Sequence, residues 1–337
     1  MDKICIVYTH SKVGDLIWQL PYIESISRFH NTKIDLITRK ETQTKSILGD
    51  LNYIHKVEYN AFRKGLFYWP DILKLFIFFI KNKFSHVYIL DKVNKPAIAA
   101  KFAGIKNIIG PGIGKQKYWL TISNFLSESD KKLNYSEQSQ KLLKLNNIPL
   151  KNIYPNLDIN LNRPDINLDI KKIKGEIISF GIDSGEIFKM WYEECFIELA
   201  EKLYKEKLFD SIFLLCSKEN QSMAHKIINN SKRKYFIDCS NVNLVNLMAA
   251  LKKSSFFVGN NAGPLNISAA MNIDSFGLIA NSPISELKYS KIIPITPDNY
   301  QDNVWYRNRE GMKNLTVDKV YYFILSYLNN KNKKNKN

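Results

Sequence analysis

One acidic residue directly follows the first apolar run of this chain and opens the helical pattern behind it. In residues 9–21, T-H-S-K-V-G-D-L-I-W-Q-L-P, Gly14 allows a tight turn and Asp15 falls in the first helical turn. A carboxylate there is suited to take a proton from a hydroxyl nucleophile, a role that contributes roughly 10²–10⁴ in rate. The same charge can instead simply favour the helix dipole. The five histidines show no metal-ligand spacing, and we expect His10 to support this loop.

A second polar segment, residues 179–191, joins a strand-like run to a helix start. Its sequence is S-F-G-I-D-S-G-E-I-F-K-M-W, without the G-K-[ST] of a Walker A loop. Backbone amides around Gly185, the Ser184 hydroxyl and the Lys189 ammonium can together bind a diphosphate. A solvated turn explains the same composition equally well.

A third segment, residues 258–270, reads V-G-N-N-A-G-P-L-N-I-S-A-A. Pro264 stands at a favoured first-turn position of a helix, so the amides near Ala262 and Gly263 are free at that N-terminus. An anion bound there gains roughly 0.3–1 kcal/mol, and more where it is partly buried. Ordinary helix capping by Asn261 is the alternative interpretation.

Apolar periodicity divides the chain into two runs in which strands alternate with helices. The first run predicts strands at 3–8, 33–38, 55–59 and 85–90 and helices at 14–29, 68–81, 95–103 and 135–145. The second run predicts strands at 177–180, 211–215, 235–237, 256–258 and 275–278 and helices at 190–205, 221–229, 244–251 and 264–271. This alternation indicates α/β architecture with parallel sheets covered by helices on both faces.

The two runs predict two Rossmann-like, doubly wound domains that face a central cleft at the carboxyl ends of their strands. The predicted division is an N-terminal domain over 1–160, a linker over 161–174 and a C-terminal domain over 175–315. An amphipathic helix at 316–330 should pack back on the N-terminal domain. Residues 331–337 should form a disordered basic tail.

The net charge of +17, from 49 basic and 32 acidic residues, requires an anionic partner or a compositional bias. Nucleic acid, an anionic membrane surface and an anionic substrate all fit, and nucleic acid ranks last because no nucleic-acid-binding motif is present. The four cysteines include no C-x-x-C pair, which argues against a zinc site or a disulfide scaffold. No apolar stretch reaches the roughly 20 residues of a membrane span, and the first residues lack a signal-peptide pattern, so we expect a reduced, cytoplasmic protein.

Taken together, the three polar segments resemble glycosyltransferase family 9, the ADP-heptose:lipopolysaccharide heptosyltransferase group, over nearly the whole chain. The family opens with a strand, then G-D, then a proline six residues after the aspartate, and Gly14, Asp15 and Pro21 match this order. Its K-x-W motif before the first helix of the second domain is matched by Lys189 and Trp191.

The strongest motif of the family is D-[ST]-G-P-x-H-x-x-A-A, and residues 261–270 read N-A-G-P-L-N-I-S-A-A. The run A-K-F-A-G-I-K-N-I-I-G at 100–110 also resembles the family's first domain. This chain departs from the motif at Asn261, Ala262 and Asn266, where the family has Asp, Ser or Thr, and His. Because amides accept and donate whereas a carboxylate only accepts, these changes put the identity of the donor sugar in doubt.

The resemblance implies a GT-B fold and an inverting, metal-independent transfer of a sugar from a nucleotide donor, ADP-linked in the family. It makes Asp15 the general base, and it gives Ser184 and Lys189 the contacts to the donor diphosphate. The donor site then comprises Ser184, Gly185, Lys189, Glu219, Val242, Asn261, Ala262, Gly263 and Asn266. In that set Glu219 would hold the ribose, and Val242 would lie near the adenine pocket.

The resemblance also places the acceptor site in the first domain, where family members bind phosphates and acidic sugars. The matching positions are Gly14, Arg63, Lys64, Lys115 and Lys117. Generic surface charge is the alternative for each basic residue. The segment 67–84 is apolar almost all round with basic flanks, which predicts either a buried helix or an interfacial helix on anionic lipid.

These observations predict a monomeric glycosyltransferase, peripheral at the cytoplasmic face of the inner membrane. Its substrates would be a nucleotide-sugar, with heptose or another sugar, and a lipopolysaccharide-core or other anionic glycolipid acceptor. An epimerase of the same fold should carry further carboxylates and a histidine, and Asn261 and Asn266 argue against it. A non-catalytic nucleotide-sugar or glycolipid binder with a degenerate donor site is the alternative function.

Overall fold

The computed structural model describes residues 2–284, 287, 291–302, 304 and 307–334. The chain divides into two compact units, Met1–Pro155 and Asn156–Asn337. Each unit contains a parallel β-sheet connected by helices. Within the described ranges, no helix is both long and apolar enough to cross a membrane.

The first unit is built on a sheet with the strand order β3-β2-β1-β4-β5. The strands are β1 Ile4–Val7, β2 Ile34–Thr38, β3 Ile54–Tyr59, β4 His86–Ile89 and β5 Asn107–Ile109. The helices are α1 Val13–Ile17, α2 Leu20–Phe29, α3 Lys45–Leu48, α4 Tyr68–Asn82, α5 Lys95–Phe102 and α6 Tyr135–Leu145. The strand order reverses between β1 and β4, and a doubly wound sheet binds ligands beyond the carboxyl ends of its strands at such a switch point.

The helix predicted at 14–29 is two helices, because Pro21 lies in the first turn of α2. Proline lacks an N–H, and its ring clashes with the carbonyl four residues earlier, so it interrupts a continuing helix. In a first turn the same residue is well tolerated. The short α1 therefore holds Asp15 directly after the central strand β1.

The second unit has the strand order β11-β10-β9-β6-β7-β8, with all strands parallel. The strands are β6 Ile177–Gly181, β7 Ser211–Cys216, β8 Phe236–Ser240, β9 Phe256–Asn260, β10 Asp274–Leu278 and β11 Ile292–Ile295. The helices are α7 Leu168–Lys172, α8 Glu193–Lys205, α9 Gln221–Asn230, α10 Leu244–Lys252, α11 Gly263–Ala270, α12 Glu310–Lys313 and α13 Val317–Lys334. Here the switch point lies between β6 and β9.

Residues 161–174, predicted as a linker, pack within the second unit and include α7. The N–H of Asn167 donates to Oδ1 of Asn246 at 2.6 Å. Lys253 Nζ donates to the carbonyls of Ile170, Lys171 and Ile173, so it caps the end of α7. Polar contacts and the buried side chains of Ile166 and Ile170 together hold this segment in the second unit.

The C-terminal helix α13, predicted to pack on the N-terminal domain, contributes its apolar side chains to the core of the second unit. Val320 and Ile324 are fully buried there. Lys202 on α8 pairs with Asp318 at 2.9 Å. The apolar stripe of α13 therefore completes the core beside α8.

The tail expected to be disordered from residue 331 is helical through Lys334, the last residue of α13. Lys331 pairs with Asp274, a 2% exposed carboxylate that Lys291 also contacts at 3.0 Å. This charge pairing favours helix over disorder at 331–334. Residues 335–337 lie outside the described residues.

Candidate functional site

Asp15 lies in the first turn of α1, at the switch point of the first sheet. Its side chain is 42% exposed, and His10 Nδ1 lies 3.4 Å from its Oδ2. The His10 ring stacks on Tyr8 with centroids 5.0 Å apart and meets the Tyr135 ring edge-on at 4.2 Å. Gly14 beside it is buried. This packing fixes His10 next to an accessible carboxylate that can accept a proton from a hydroxyl.

Asp91, at the carboxyl end of β4, is a residue that the sequence analysis missed. It is fully buried and accepts the N–H groups of Thr9 at 2.5 Å and Val93 at 3.0 Å. Burial raises the pKa of Asp91 above its ordinary value. Its hydrogen bonds tie the loop after β1 to the loop after β4, so Asp91 positions the loop that leads to Asp15.

Arg63, predicted to bind the acceptor, is engaged with Asp71 on α4. Arg63 Nη2 lies 2.8 Å and Nε 3.2 Å from Asp71 Oδ1, and the guanidinium lies over the Phe67 ring at 4.2 Å. Lys95 Nζ is 3.4 Å from the other carboxylate oxygen. Burial alone would raise the pKa of Asp71, but the hydrogen bonds from Arg63 and the charge of Lys95 hold it below its ordinary value. The guanidinium fork thus stabilises the connection from β3 to α4.

Lys64, Lys115 and Lys117 are exposed at the carboxyl edge of the first sheet. Lys64 follows β3, whereas Lys115 and Lys117 follow β5 in a 3-10 turn over Gly114–Tyr118. Gln116 between them is buried and donates to two carbonyls of the loop after β4 at 2.8 and 3.0 Å. The loop after β4 contacts both segments, because Lys95 Nζ donates to the Arg63 carbonyl and Gln116 bonds to the carbonyls of Asp91 and Val93.

The loop after β6 carries the residues predicted to bind the diphosphate. Ser184 is 7% exposed, and its Oγ accepts the Glu186 N–H at 3.3 Å. Gly185 has open space where a Cβ would stand. Lys189 Nζ lies 2.5 Å from Glu186 Oε2. Ser184, Gly185 and Lys189 therefore share one loop, and the ammonium is oriented by a carboxylate that an anion would have to displace.

Asn260, at the end of β9, joins this loop to the neighbouring strand, and sequence reasoning missed it. It is 1% exposed, its Oδ1 accepts the Trp191 N–H at 2.9 Å, and its Nδ2 donates to the Ile182 carbonyl at 2.8 Å. Trp191 itself is fully buried and donates Nε1–H to the Leu315 carbonyl at 2.8 Å. The tryptophan of the K-x-W motif is therefore a core residue that fixes the position of Lys189.

Paired glycines let β6 and β9 approach closely at the switch point. Gly181 and Gly259 are opposite each other in the register of the two strands. A Cβ on Gly259 would stand 2.6 Å from the Gly181 carbonyl oxygen, a distance that backbone atoms cannot accommodate without moving. Any larger residue would push the two candidate donor loops apart.

The loop after β9 runs from Asn261 to α11. Asn261 Nδ2 donates to Ser282 Oγ at 2.9 Å, and Ala262 occupies the cap position of α11 with no side-chain cap. The alternative interpretation, in which Asn261 caps this helix, is therefore wrong, and the first amides of α11, from Gly263 on, have no side-chain cap. Asn266 Nδ2 donates to the Ala262 carbonyl at 3.3 Å. Its Oδ1 is buried without a hydrogen-bond partner among the described residues.

Glu219 and Val242 lie in the loops after β7 and β8. Glu219 is exposed, and hydrogen bonds from its own N–H and from Ser217 hold its pKa below the ordinary value. Val242 is half-buried, directly before α10. Since β9, β6, β7 and β8 are consecutive in the sheet, the four loops with candidate donor residues lie side by side at one edge.

The chain has the fold of known GT-B glycosyltransferases. It is similar to E. coli ADP-heptose lipopolysaccharide heptosyltransferase II, with a TM-score of 0.77 and 16% identity, covering 98% of this chain and 99% of that one. E. coli heptosyltransferase WaaC with ADP gives a TM-score of 0.74 and 15% identity, over 96% and 99%. A family 9 glycosyltransferase from Veillonella parvula gives 0.74 and 14%, over 95% and 94%.

Fold and sequence together define the class as a glycosyltransferase with two α/β units. Residues 74–316 match the sequence model of glycosyltransferase family 9 (heptosyltransferase), and the chain belongs to this family. No curated protein sequence matches it. The predicted family, fold and enzyme class are confirmed.

Proposed function

We propose that this protein transfers a sugar from a nucleoside diphosphate donor to a hydroxyl of a lipopolysaccharide-core or other cell-surface glycan, with inversion at the sugar. The observation that carries the proposal is the position of the polar loops. The loop with Asp15 and the loops with Lys189 and Asn261 each lie at the switch point of their own sheet. Doubly wound folds bind ligands at that position.

Asp15 is the general base in this proposal. The acceptor hydroxyl oxygen attacks the anomeric carbon while its proton passes to Asp15. The bond between that carbon and the diphosphate oxygen breaks in the same step, so one displacement inverts the configuration. His10, at 3.4 Å, orients the carboxylate, and Asp91 holds the loop behind it.

In this proposal the donor lies across the loops at the carboxyl ends of β9, β6, β7 and β8, so successive parts of the donor contact successive loops. The loops after β9 and β6 supply uncapped amides and the Lys189 ammonium for the diphosphate, which needs no metal ion in this scheme. Glu219 then faces the ribose, and Val242 the base, two strands further along. ADP is the proposed nucleotide because the similar WaaC structure was solved with ADP.

Asn266 is proposed to contact the donor sugar. Its Oδ1 is buried and lacks a hydrogen-bond partner among the described side chains and backbone. An unpaired buried acceptor costs about 1–3 kcal/mol, which a sugar hydroxyl would relieve. Heptose is the proposed donor sugar because it is the sugar of the family. If this chain uses another sugar, Asn261 and Asn266 are the residues that would select it.

The exposed face of α4 is proposed to rest on an anionic membrane surface, at its cytoplasmic side. Trp69, Leu73, Ile77 and Ile80 are 65%, 57%, 43% and 48% exposed and are spaced to lie on one helix face. Lys74 and Lys81 are exposed beside this apolar face. Apolar insertion with flanking lysines fits anionic lipid and would bring a monomer to a lipid-linked acceptor.

The function is tested on the intact chain with a panel of nucleoside diphosphates and their sugars. Thermal shift should show a higher melting temperature with the correct nucleotide, because a ligand of the folded state stabilises it. Transfer from the bound donor to lipopolysaccharide core should follow. If the chain binds the donor but neither transfers the sugar nor hydrolyses the donor, the alternative function, a non-catalytic binder, would be favoured.

Membrane docking is tested by flotation with phosphatidylglycerol vesicles and with phosphatidylcholine vesicles. The chain should float with the anionic vesicles, and a Leu73→Gln, Ile77→Gln variant should not. Tyr322→Gln, which removes a 65% exposed apolar residue of α13, is the matched control and should float normally. Equal flotation of both variants would exclude α4 as the docking surface.

A further inference from the structure

Two histidines and an aspartate that are far apart in sequence meet at the amino edge of the first sheet. His30 follows α2, His86 begins β4, and Asp2 precedes β1. One potential ligand atom from each of the three lies within 4.8 Å of the other two. The rings of His30 and His86 have centroids 4.5 Å apart.

Each imidazole has one nitrogen held by a neighbouring side chain. His30 Nε2 is 2.8 Å from the Tyr88 hydroxyl, and His86 Nδ1 is 3.0 Å from Ser85 Oγ. Among the described residues, no hydrogen bond to the second nitrogen of either ring is formed, so that nitrogen can bind another ligand. In metal sites, such a hydrogen bond on the far nitrogen fixes the tautomer and the ring orientation of a ligating histidine.

The surroundings favour a cation at this cluster. Both imidazoles are half-buried, and a neutral imidazole binds a metal through the lone pair of its unprotonated nitrogen. Asp2 is exposed and supplies a negative charge. Two imidazoles and one carboxylate, with water in the remaining position, are a ligand set that suits Zn²⁺.

We propose that Asp2, His30 and His86 form a binding site for a first-row divalent cation of the Zn²⁺ type. The site lies at the amino ends of β1 and β4, whereas Asp15 follows the carboxyl end of β1, about 13 Å of strand away. A cation there would link α2, β1 and β4. Its role is to stabilise the first unit, and it takes no part in sugar transfer.

The test is calorimetric titration of Zn²⁺ into the full chain without a polyhistidine tag. One Zn²⁺ should bind per chain, and Mg²⁺ should give no binding because it prefers oxygen ligands. His30→Ala and His86→Ala should each weaken Zn²⁺ binding by at least about 10-fold. Zn²⁺ should also raise the melting temperature of the wild type and not that of these variants.

His55→Ala is the matched control. His55 Nδ1 lies 2.6 Å from the carboxylate of Asp35, but this pair has no second imidazole, so its loss should leave Zn²⁺ affinity unchanged. Asp2→Asn changes an exposed residue and therefore tests the site even if the histidine variants unfold. This variant should also weaken Zn²⁺ binding. Zn²⁺ affinity within about twofold of wild type in Asp2→Asn and in the folded histidine variants would overturn the proposal.

Discussion

Asn260 and Trp191 are joined by a buried hydrogen bond of 2.9 Å that connects the two candidate donor loops of the second unit. The side-chain Nδ2 of Asn260 also donates to the Ile182 carbonyl at 2.8 Å. Both polar atoms of Asn260 are therefore used on backbone groups from the loop after β6. This side chain links the loop after β6 to the end of β9, directly before the loop that leads to α11.

Replacing Asn260 by aspartate should loosen both loops. The carboxylate can still accept from Trp191, but it faces the Ile182 carbonyl with no proton to donate. We expect a loss of about 1–3 kcal/mol in the free energy of unfolding, together with weaker nucleoside diphosphate binding. Denaturant titration and calorimetry measure the two effects. Asn229→Asp, an exposed change in the last turn of α9, should cost less than about 1 kcal/mol and leave nucleotide binding unchanged.

Lys189→Ala should weaken binding of a nucleoside diphosphate far more than binding of the nucleoside. One charge-assisted hydrogen bond is worth roughly 1.5–3 kcal/mol, or about 10- to 150-fold in affinity. Because Lys189 pairs with Glu186 at 2.5 Å, Glu186→Gln removes a carboxylate that competes with the diphosphate and should not weaken binding. Titration of both ligands into the three proteins checks this. Equal losses for nucleoside and diphosphate would place Lys189 outside the phosphate site.

Asp15→Asn should reduce turnover by at least roughly 10² and leave donor affinity nearly unchanged, since a general base acts in the transition state. Asp169→Asn is the matched control, because Asp169 also lies in the first turn of a five-residue helix. If Asp15 served only the helix dipole, the two variants would behave alike. Steady-state transfer rates and donor titrations separate these outcomes.

The sequence predicted the strands and loops that position these residues because their signals are local. β1 is a continuous apolar run, β6 is apolar apart from Ser179 and Gly181, and both strands are buried throughout. It missed β5, which has three residues, and β11, where Pro294 interrupts the pattern at a sheet edge. Such short strands are defined by their pairing with a neighbouring strand, and the apolar periodicity of the sequence does not reveal that pairing.

The polar residues that sequence reasoning missed depend on contacts between strands. Asp91 and Asn260 are each one polar residue at the end of a predicted strand, and their partners come from β1 and β6. The signal was their position: Asp91 lies at the same edge of the first sheet as Asp15, and Asn260 lies at the same edge of the second sheet as Lys189. His30 and His86 were also missed, because 56 residues of chain separate them and only the sheet brings them together.

Asp71→Asn should make the first unit less stable at neutral pH and less sensitive to acid. Arg63 and Lys95 hold the pKa of Asp71 below its ordinary value, so its ionised form stabilises the fold at neutral pH, and the contribution is lost as pH falls through the lowered pKa. We expect a loss of about 1–3 kcal/mol at pH 7 that shrinks as the carboxylate is protonated in acid.

Melting curves of both proteins from pH 7 to pH 2 check this expectation. The exposed pair of Glu24 and Arg28, at 2.6 Å, offers a control with the same chemistry. Glu24→Gln should cost less than about 1 kcal/mol at any pH. A constant difference between wild type and Asp71→Asn would show that the lost stability does not come from the ionised carboxylate.

Asn261→Asp should change which donor sugars the enzyme prefers. The variant restores the family's carboxylate, and the fold tolerates it because the Ser282 hydroxyl, 2.9 Å from Asn261 Nδ2, can donate as well as accept. A sugar that uses the amide as a donor would then face an acceptor, at a cost of roughly 1–3 kcal/mol. Affinity for the free nucleoside diphosphate should stay within a few-fold. The measurement is kcat/KM over several donors, and an unchanged ranking would show that Asn261 does not contact the sugar.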